Sequence, residues 1–503
     1  MGWLVLPPAR AGAVDPATAA RRAGVAAPAV AAPEDGTTTG DLVPPLVAVG
    51  AAGALAAYAY ARRRRRATTR TTPGGNAPGL IPLHELDRQA RQLLVDIDDC
   101  VRTGAEELGL AAARSTGDAV EPYADALAYA EAELAASFRL RRRLDEAGAR
   151  PGLGLGPGLG EGDSRGALEE IVARCGNAGE RLDAAAPGFD QLRALERNAV
   201  AALESAGTRL RELSARTPAA EATLAELHKR YAPTASIRVV GDVEQAKDRL
   251  AFTTLQLDQA RGYADSGDSA RAAAHLRAAE GAVGQAAVLV NGVDRLAGEL
   301  ASAAAQLPAA LAALAAAVPR AARELPPDAS GGLGGLGRPF GRIEVLLSGV
   351  RREMAAGPYD PLDALRRVVE AEAALAGAGG GDVADGRAHA LLPARSALAG
   401  AADFIGTHRG AVGSEARTRL AEAERLLGAG AIPLSEVRRA DDLAREARRL
   451  AERDVRAYGS PAGGRGGAGA GGAVLGGVLL GDGEGPVSYG GPHTRGRRAA
   501  SFS

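Results

Sequence analysis

The sequence predicts an all-α protein, and three observations carry that prediction. Beyond residue 82, apolar side chains recur at spacings of three and four, the mark of a helix with one buried face. No segment alternates apolar and polar residues for long enough to make a strand; SIRVV at 236–240 is the one candidate, and it lies in a short connection. Hydrophobic residues make up 46% of the 503 while aromatics are only 3%, and alanine supplies about a fifth to a quarter of the chain. Such a composition packs thin helices close together and leaves little large side-chain volume for a pocketed enzyme core.

Residues 1–41 are rich in Ala, Pro and Thr and read as a disordered extracytoplasmic lead-in. Their opening, MGWLVLPPARAGA, has too short an apolar core for a signal peptide, and no basic residue precedes it. Residues 42–61, LVPPLVAVGAAGALAAYAYA, carry no charge, and about 20 helical residues suffice to cross a hydrocarbon layer of about 30 Å. Asp41 closes this expected transmembrane helix on one side; Arg62, Arg63, Arg64, Arg65 and Arg66 close it on the other. The basic excess after the span outweighs Arg21 and Arg22 before it, so the positive-inside rule places the chain beyond residue 62 in the cytoplasm. Those five arginines are the candidate topology and lipid-contact residues, since each basic group near an anionic surface is worth about 1 kcal/mol. The expected location is the cell membrane, single-pass, with the C-terminal region cytoplasmic. Gly50 with Ala54 and Gly53 with Ala57 are small residues four apart that permit two such helices to touch.

After a basic stop and linker at 62–82, a helical, coiled-coil-like region is expected over 83–323. Leu83, Leu86, Ala90, Leu93, Ile97 and Cys100 open it as one seam. The register returns at Leu192, Leu195, Ala199, Leu203, Ala206, Leu210 and Leu213, and again at Val243, Ala246, Leu250, Thr253 and Leu257. A Pro/Gly linker at 324–341 leads to a second helical region at 342–457, where Val437, Ala440, Ala444, Ala447 and Leu450 repeat the pattern. Further breakers are expected at 151–166, at Pro218, across 233–241 and at 377–382. Helical hairpins are expected where a helix closes on a Gly/Asp or Gly/Pro turn before a second Ala-rich helix, at 263–283, 354–375 and 423–447. From 458 to 503 the chain is Gly-rich and reads as a disordered tail, its short apolar patch VLGGVLL at 474–480 offering at most a contact to a partner or membrane surface.

Chemistry is hard to find in this pattern. The counts of 60 Lys plus Arg and 61 Asp plus Glu give a formal charge of -1, which argues against nucleic acid as a partner. GLGGLG at 332–337 has dinucleotide-loop spacing, but no strand precedes it, no helix is expected directly after it, and Pro339 comes two residues later. His84 and Glu85 begin like a zinc-protease helix, yet Arg88 stands where the second ligand belongs. The six histidines are scattered, and Cys100 and Cys175 read as buried small apolar residues. Around His408, the segment THRGAVGSEAR at 407–417 is basic and Gly-bearing, with Ser414 as the expected N-cap of a helix starting at Glu415; Arg409 and backbone amides there make an anion site the alternative to an ordinary connecting loop. Asp98 with Asp99, and Asp441 with Asp442, diverge by about 100° on a helix and are expected on solvated faces. No catalytic, cofactor-binding or metal-ligating residue is assigned, no small-molecule substrate is identified, and the protein is not expected to be an enzyme.

Several segments, taken together, resemble actinobacterial TPM domain-containing membrane proteins: VAVGAAGALAAYAYARRRRRATTRTTPGG, VEQAKDRLAFTTLQLDQAR at 243–261, YDPLDALRRV at 359–368, THRGAVGSEARTRLAEAERLL at 407–427, AERDVRAYG at 451–459, and GGAVLGGVLLG with TRGRR. The resemblance covers about residues 42–503 and carries no catalytic motif. It implies an extracytoplasmic, phosphatase-like α/β TPM domain ahead of one span, a long helical cytoplasmic region and a Gly-rich tail. Only 41 residues precede the span here, so the domain itself is expected to be missing and its activity transfers to no residue. The function expected is a membrane-anchored cytoplasmic helical scaffold or interaction protein, with membrane lipid and a protein partner, or a second copy, as its partners. The alternative is the truncated half of a TPM-type phosphatase-like protein.

Overall fold

The computed structural model describes residues 81–115, 117–148, 160–324, 337–377, 386–430, 432–458, 479–480, 484–486 and 488–500. The lead-in, the span expected at 42–61 and Arg62, Arg63, Arg64, Arg65 and Arg66 lie outside them. The described residues form an all-α body. Its helices are α1 (Leu83–Ala112), α2 (Gly117–Gly148), α3 (Glu161–Arg193), α4 (Ala199–Arg230), a single turn α5 (Pro233–Ser236), α6 (Asp242–Asp265), α7 (Ser269–Glu324), α8 (Gly337–Ala356), α9 (Pro361–Gly377), α10 (Gly386–Thr407), α11 (Ser414–Gly428), α12 (Leu434–Tyr458) and α13 (Pro492–Ala500). The strand candidate at 236–240 is a 3-10 turn, Ile237–Val239. A short antiparallel pair, Leu479–Leu480 with Glu484–Pro486, uses the end of the apolar patch.

Three sub-bundles share this body. In the first, α1, α2 and α3 bury Leu86, Ala90, Leu94, Ile97, Leu134, Phe138, Ile171 and Leu182. In the second, α4 and α6 flank α7, and α8 and α9 cover its C-terminal half, burying Leu224, Val243, Leu250, Val290, Leu300, Leu314, Val350 and Leu365. In the third, α10, α11 and α12 meet through Ala401, Ile405, Ala416, Leu420, Ala447 and Ala451. Ala440, Ala444, Ala447 and Ala451 are fully buried along one stripe of α12, where the absence of longer side chains lets helix axes approach toward the short end of the 8–10 Å range. Helix α7 has 56 residues, about 84 Å at 1.5 Å per residue, and packs against α4, α6, α8, α9 and α10. The helical regions expected at 83–323 and 342–457 are therefore packed on each other through it.

By length and composition, the stretch Ser269–Arg323 of α7, which contains an 18-residue window of mean hydropathy 1.6, is apolar enough to cross a membrane. Leu276, Leu296, Leu300 and Leu307 on it are buried against neighbouring helices, and at about 1.5–3 kcal/mol for each buried Leu this packing accounts for its apolar character as a core helix.

Turn chemistry explains the hairpins. Between α6 and α7, Gly267 takes φ +82, and the Asp268 carboxylate accepts the Arg271 amide at 3.1 Å, capping α7. Between α8 and α9, Gly357 takes φ +141, Asp360 caps Asp363 at 3.0 Å, and Pro361 opens α9 where its missing N–H has no helical partner. The third hairpin joins α11 to α12.

The structure differs from the sequence expectation at several breakers. Pro218 lies inside α4, because Leu213, Thr217, Ala220 and Leu224 on both sides of it are buried on one face, and that packing outweighs the roughly 3 kcal/mol cost of an interior proline. The seam from Leu192 to Leu213 is interrupted instead at Ala194, whose φ of 46 ends α3 in a left-handed cap. Helix α3 begins at Glu161, within the 151–166 breaker. A helix also opens at Gly337, on the last glycine of GLGGLG, with Pro339 in its first turn.

Candidate functional site: an arginine–carboxylate seam and the cleft beside it

Helix α1 brings two adjacent acids to the third sub-bundle, and one arginine takes both. Arg417 on α11, fully buried, donates to Asp98 at 2.5 Å and to Asp99 at 2.6 Å. Its remaining N–H groups go to the carbonyls of Val412 at 3.1 Å and Arg409 at 2.6 Å. Arg102 adds a second cation to Asp98 at 2.9 Å. Burial alone would raise the Asp98 carboxyl, but Arg102 and Arg417 outweigh it and hold it below the usual carboxylate range. Asp98 is thus no solvated-face residue. The two acids diverge as helix geometry requires, yet a single terminal nitrogen of Arg417, Nη1, reaches both while Nε and Nη2 hold the carbonyls. Asp441 corrects the second pair likewise: it is buried and accepts from Arg366 at 2.7 Å, while Asp442 stays exposed.

The loop around His408 belongs to the same seam. Arg409 gives two bonds to the Glu106 carboxylate, 2.8 and 2.9 Å, and one to the Thr103 hydroxyl at 3.3 Å. The Gly413 amide donates to Asp454 at 3.0 Å, and α11 opens one residue early, at Ser414, with Gly413 in place of the serine as its N-cap. The groups that read as an anion cradle in the sequence are thus occupied by carboxylates of the protein itself. His408 is buried with its ring stacked on Phe404 at 4.3 Å and its Nδ1 3.0 Å from the Phe404 carbonyl. Burial, with Arg249 and Arg448 nearby, pushes it down to about 4 against the pull of that carbonyl, so the imidazole is neutral at pH 7.

Helix α7 supplies the other side. Arg193 at the end of α3 pairs with Glu280 and lies 3.4 Å from Glu107; Arg277 pairs with Asp190 at 3.2 Å; Arg295 pairs with Asp403 on α10. Between α1, α4, α7 and α10, Glu107, Arg277 and Asp403 border a cleft of about 470 Å³, its mouth marked by exposed Glu106 and Arg209 and its inner wall by Glu280, Gly284 and Gln285. Among the described residues no group of three or more His, Cys, Asp or Glu side chains is placed to hold a metal ion. Cys100 and Cys175 are buried free thiols, pushed up by burial to about 12 and about 11.

The Gly-rich tail holds a feature that composition hid. Tyr489 is buried, stacked on Phe189 at 4.2 Å and edge-on to Tyr123 at 6.2 Å, and its hydroxyl donates to the Tyr123 carbonyl at 2.9 Å. The Asp183 carboxylate then caps α13 by accepting the amides of Thr494 at 2.8 Å and His493 at 3.3 Å, and Arg495 donates to the Asp99 carbonyl at 2.8 Å. For residues 488–497 the disordered tail expected from 458 onward gives way to a docked segment. The overlooked signal is the order Tyr-Gly-Gly-Pro, a turn leading to proline at the first helical position.

Fold and site together define an all-α protein whose sub-bundles are joined by buried arginine–carboxylate pairs. No protein-family model matches the chain, and no solved structure matches it significantly. It is similar to a UPF0603 protein of Mycobacterium tuberculosis, in strain CDC 1551 / Oshkosh and in strain ATCC 25618 / H37Rv, at 30% identity over 412 residues in each case. The match covers 77% of this chain and 61% of those relatives, so the chain spans less than two thirds of their length.

Proposed function

We propose that this protein is a single-pass, membrane-anchored helical scaffold of the TPM domain-containing family, with a cytoplasmic C-terminal body and no catalytic site of its own. The observation that carries the reading is the use made of charge inside the body. Arg417 to Asp98 and Asp99, Arg193 to Glu280, and Arg295 to Asp403 each join different helices far apart in sequence. Removing one partner of the buried pairs at Arg417 and Arg193 costs about 3–5 kcal/mol, so these pairs favour a stiff arrangement that presents fixed helical surfaces to a protein partner or a second copy. Exposed Ile237, Val240 and Leu255 offer apolar side chains for such contacts. The uncharged run at 42–61 and the arginines directly after it supply the anchor.

Membrane fractionation of the native host with an antibody to the helical body tests the anchor. Recovery in the detergent-soluble membrane fraction is expected, and recovery in the cytosol without detergent overturns it. A second reading rests on the relatives' greater length: the chain corresponds to part of a larger TPM-type phosphatase-like protein. An endogenous band much heavier than 50.8 kDa favours it over the stand-alone scaffold.

A further inference from the structure

The cleft bordered by α1, α4, α7 and α10 carries hydrogen-bonding groups that the fold has buried and left unused. Gln285 and Glu280 are both 5% exposed. The Arg249 guanidinium donates to Gln285 Oε1 at 2.8 Å, which fixes the amide orientation, because an arginine N–H accepts nothing. Gln285 Nε2 is left as a donor without a partner, Glu280 Oε1 as an acceptor without one, and Arg277 Nε as a second unsatisfied donor. A buried polar group of this kind keeps its desolvation cost until a partner meets it. All three residues line the cleft.

Helix geometry arranges them. On α7, Arg277, Gly281, Gly284 and Val288 fall on one stripe, and Glu280 and Gln285 flank it on opposite sides. The glycines lower the floor: a Cβ added at Gly284, or at Gly406 across the cleft, meets nothing within 4 Å. Along the axis Glu280 and Gln285 are separated by about 7.5 Å, the span of about two extended residues. At the mouth Arg209 is exposed, a cation placed for a carboxylate.

From this geometry we infer that the cleft binds a short peptide with free termini, its ammonium on Glu280, a backbone carbonyl on Gln285 and its carboxylate on Arg209. A volume of about 470 Å³ falls in the range of small-ligand sites. The inference goes beyond the scaffold reading and does not depend on the membrane anchor.

The test is isothermal titration of the full chain with trialanine, beside N-acetyl-trialanine amide, which lacks both charges. Saturable binding of trialanine is expected, at least about tenfold tighter than the blocked peptide. Gly284→Leu projects into the cleft from a position where an added Cβ meets nothing within 4 Å and raises helix propensity, so it should keep the melting temperature and weaken trialanine binding about tenfold or more. Arg209→Gln should weaken trialanine but leave trialanine amide unchanged. No saturable binding at about 10 mM, equal binding of the blocked peptide, or undiminished binding to Gly284→Leu would each overturn the inference.

Discussion

Arg417 shows how much of this protein is decided at single side chains. Its guanidinium has no exposed surface and meets two carboxylates and two carbonyls. Replacing it with Met strips Asp98 of one of its two cations and takes from Asp99 the guanidinium it holds, and Arg417→Met is expected to lose about 3–5 kcal/mol in urea denaturation. Arg417→Lys should recover only part of that, since one ammonium does not reproduce the separate Nε and Nη2 bonds to the Val412 and Arg409 carbonyls. Asp98, held below the usual range, contributes stability that is fully present above the unfolded carboxylate value near pH 4 and is lost as pH falls through its lower folded value. His408 acts in a different window. Its folded value of about 4 lies below the unfolded one, so the unfolded chain binds more protons between about pH 4 and 6.5, and stability falls as pH drops across that range. His408→Phe should flatten that limb of a stability–pH curve by up to about 3 kcal/mol, and an unchanged limb would refute the assignment. Ala194 holds a left-handed φ of 46; Ala194→Gly is expected to gain about 1 kcal/mol by removing the Cβ conflict, readable as a higher urea midpoint.

At the scale of elements, legibility tracks locality. The three hairpins are readable because their turn residues sit next to the helices they join, as Asp268 and Asp360 do. The face Val243, Ala246, Leu250, Thr253 and Leu257 is buried as its spacing predicts. Asp98 reads as solvated because its partner Arg417 lies 319 residues away, and no local pattern announces a contact of that range. The break at Ala194 is invisible because alanine gives no turn signal, and the seam continues across it in the sequence. The cleft is not legible at all: Gln285 and Glu280 look like ordinary polar helix positions until Arg249 and Arg193 are placed against them. The tail's docked segment is the least expected element and the simplest to test. Tyr489→Ala removes a stacked, hydrogen-bonded ring and should weaken the first sub-bundle by about 3 kcal/mol. Gly491→Ala would drive a Cβ into the Gly179 carbonyl oxygen, so it should detach the segment and raise hydrogen exchange at 488–497 while leaving α10 to α12 protected.

At the scale of the whole molecule, the central question is where the body sits. Replacing Arg62, Arg63, Arg64, Arg65 and Arg66 together with Glu should invert or abolish insertion of the proposed span, and unchanged topology in a reporter fusion placed after residue 82 would refute the anchor. The docking of Tyr489 carries a further consequence, in time rather than in space. Its contact with Tyr123 joins residues 366 apart in the sequence. At a synthesis rate of about 5–20 residues per second, the notch, complete once Phe189 is made, waits roughly 15–60 s for Tyr489. A bundle made early in this stretch is therefore sealed by residues made much later, and a chain cut between Phe189 and Tyr489 would display an open aromatic notch that marks it as unfinished.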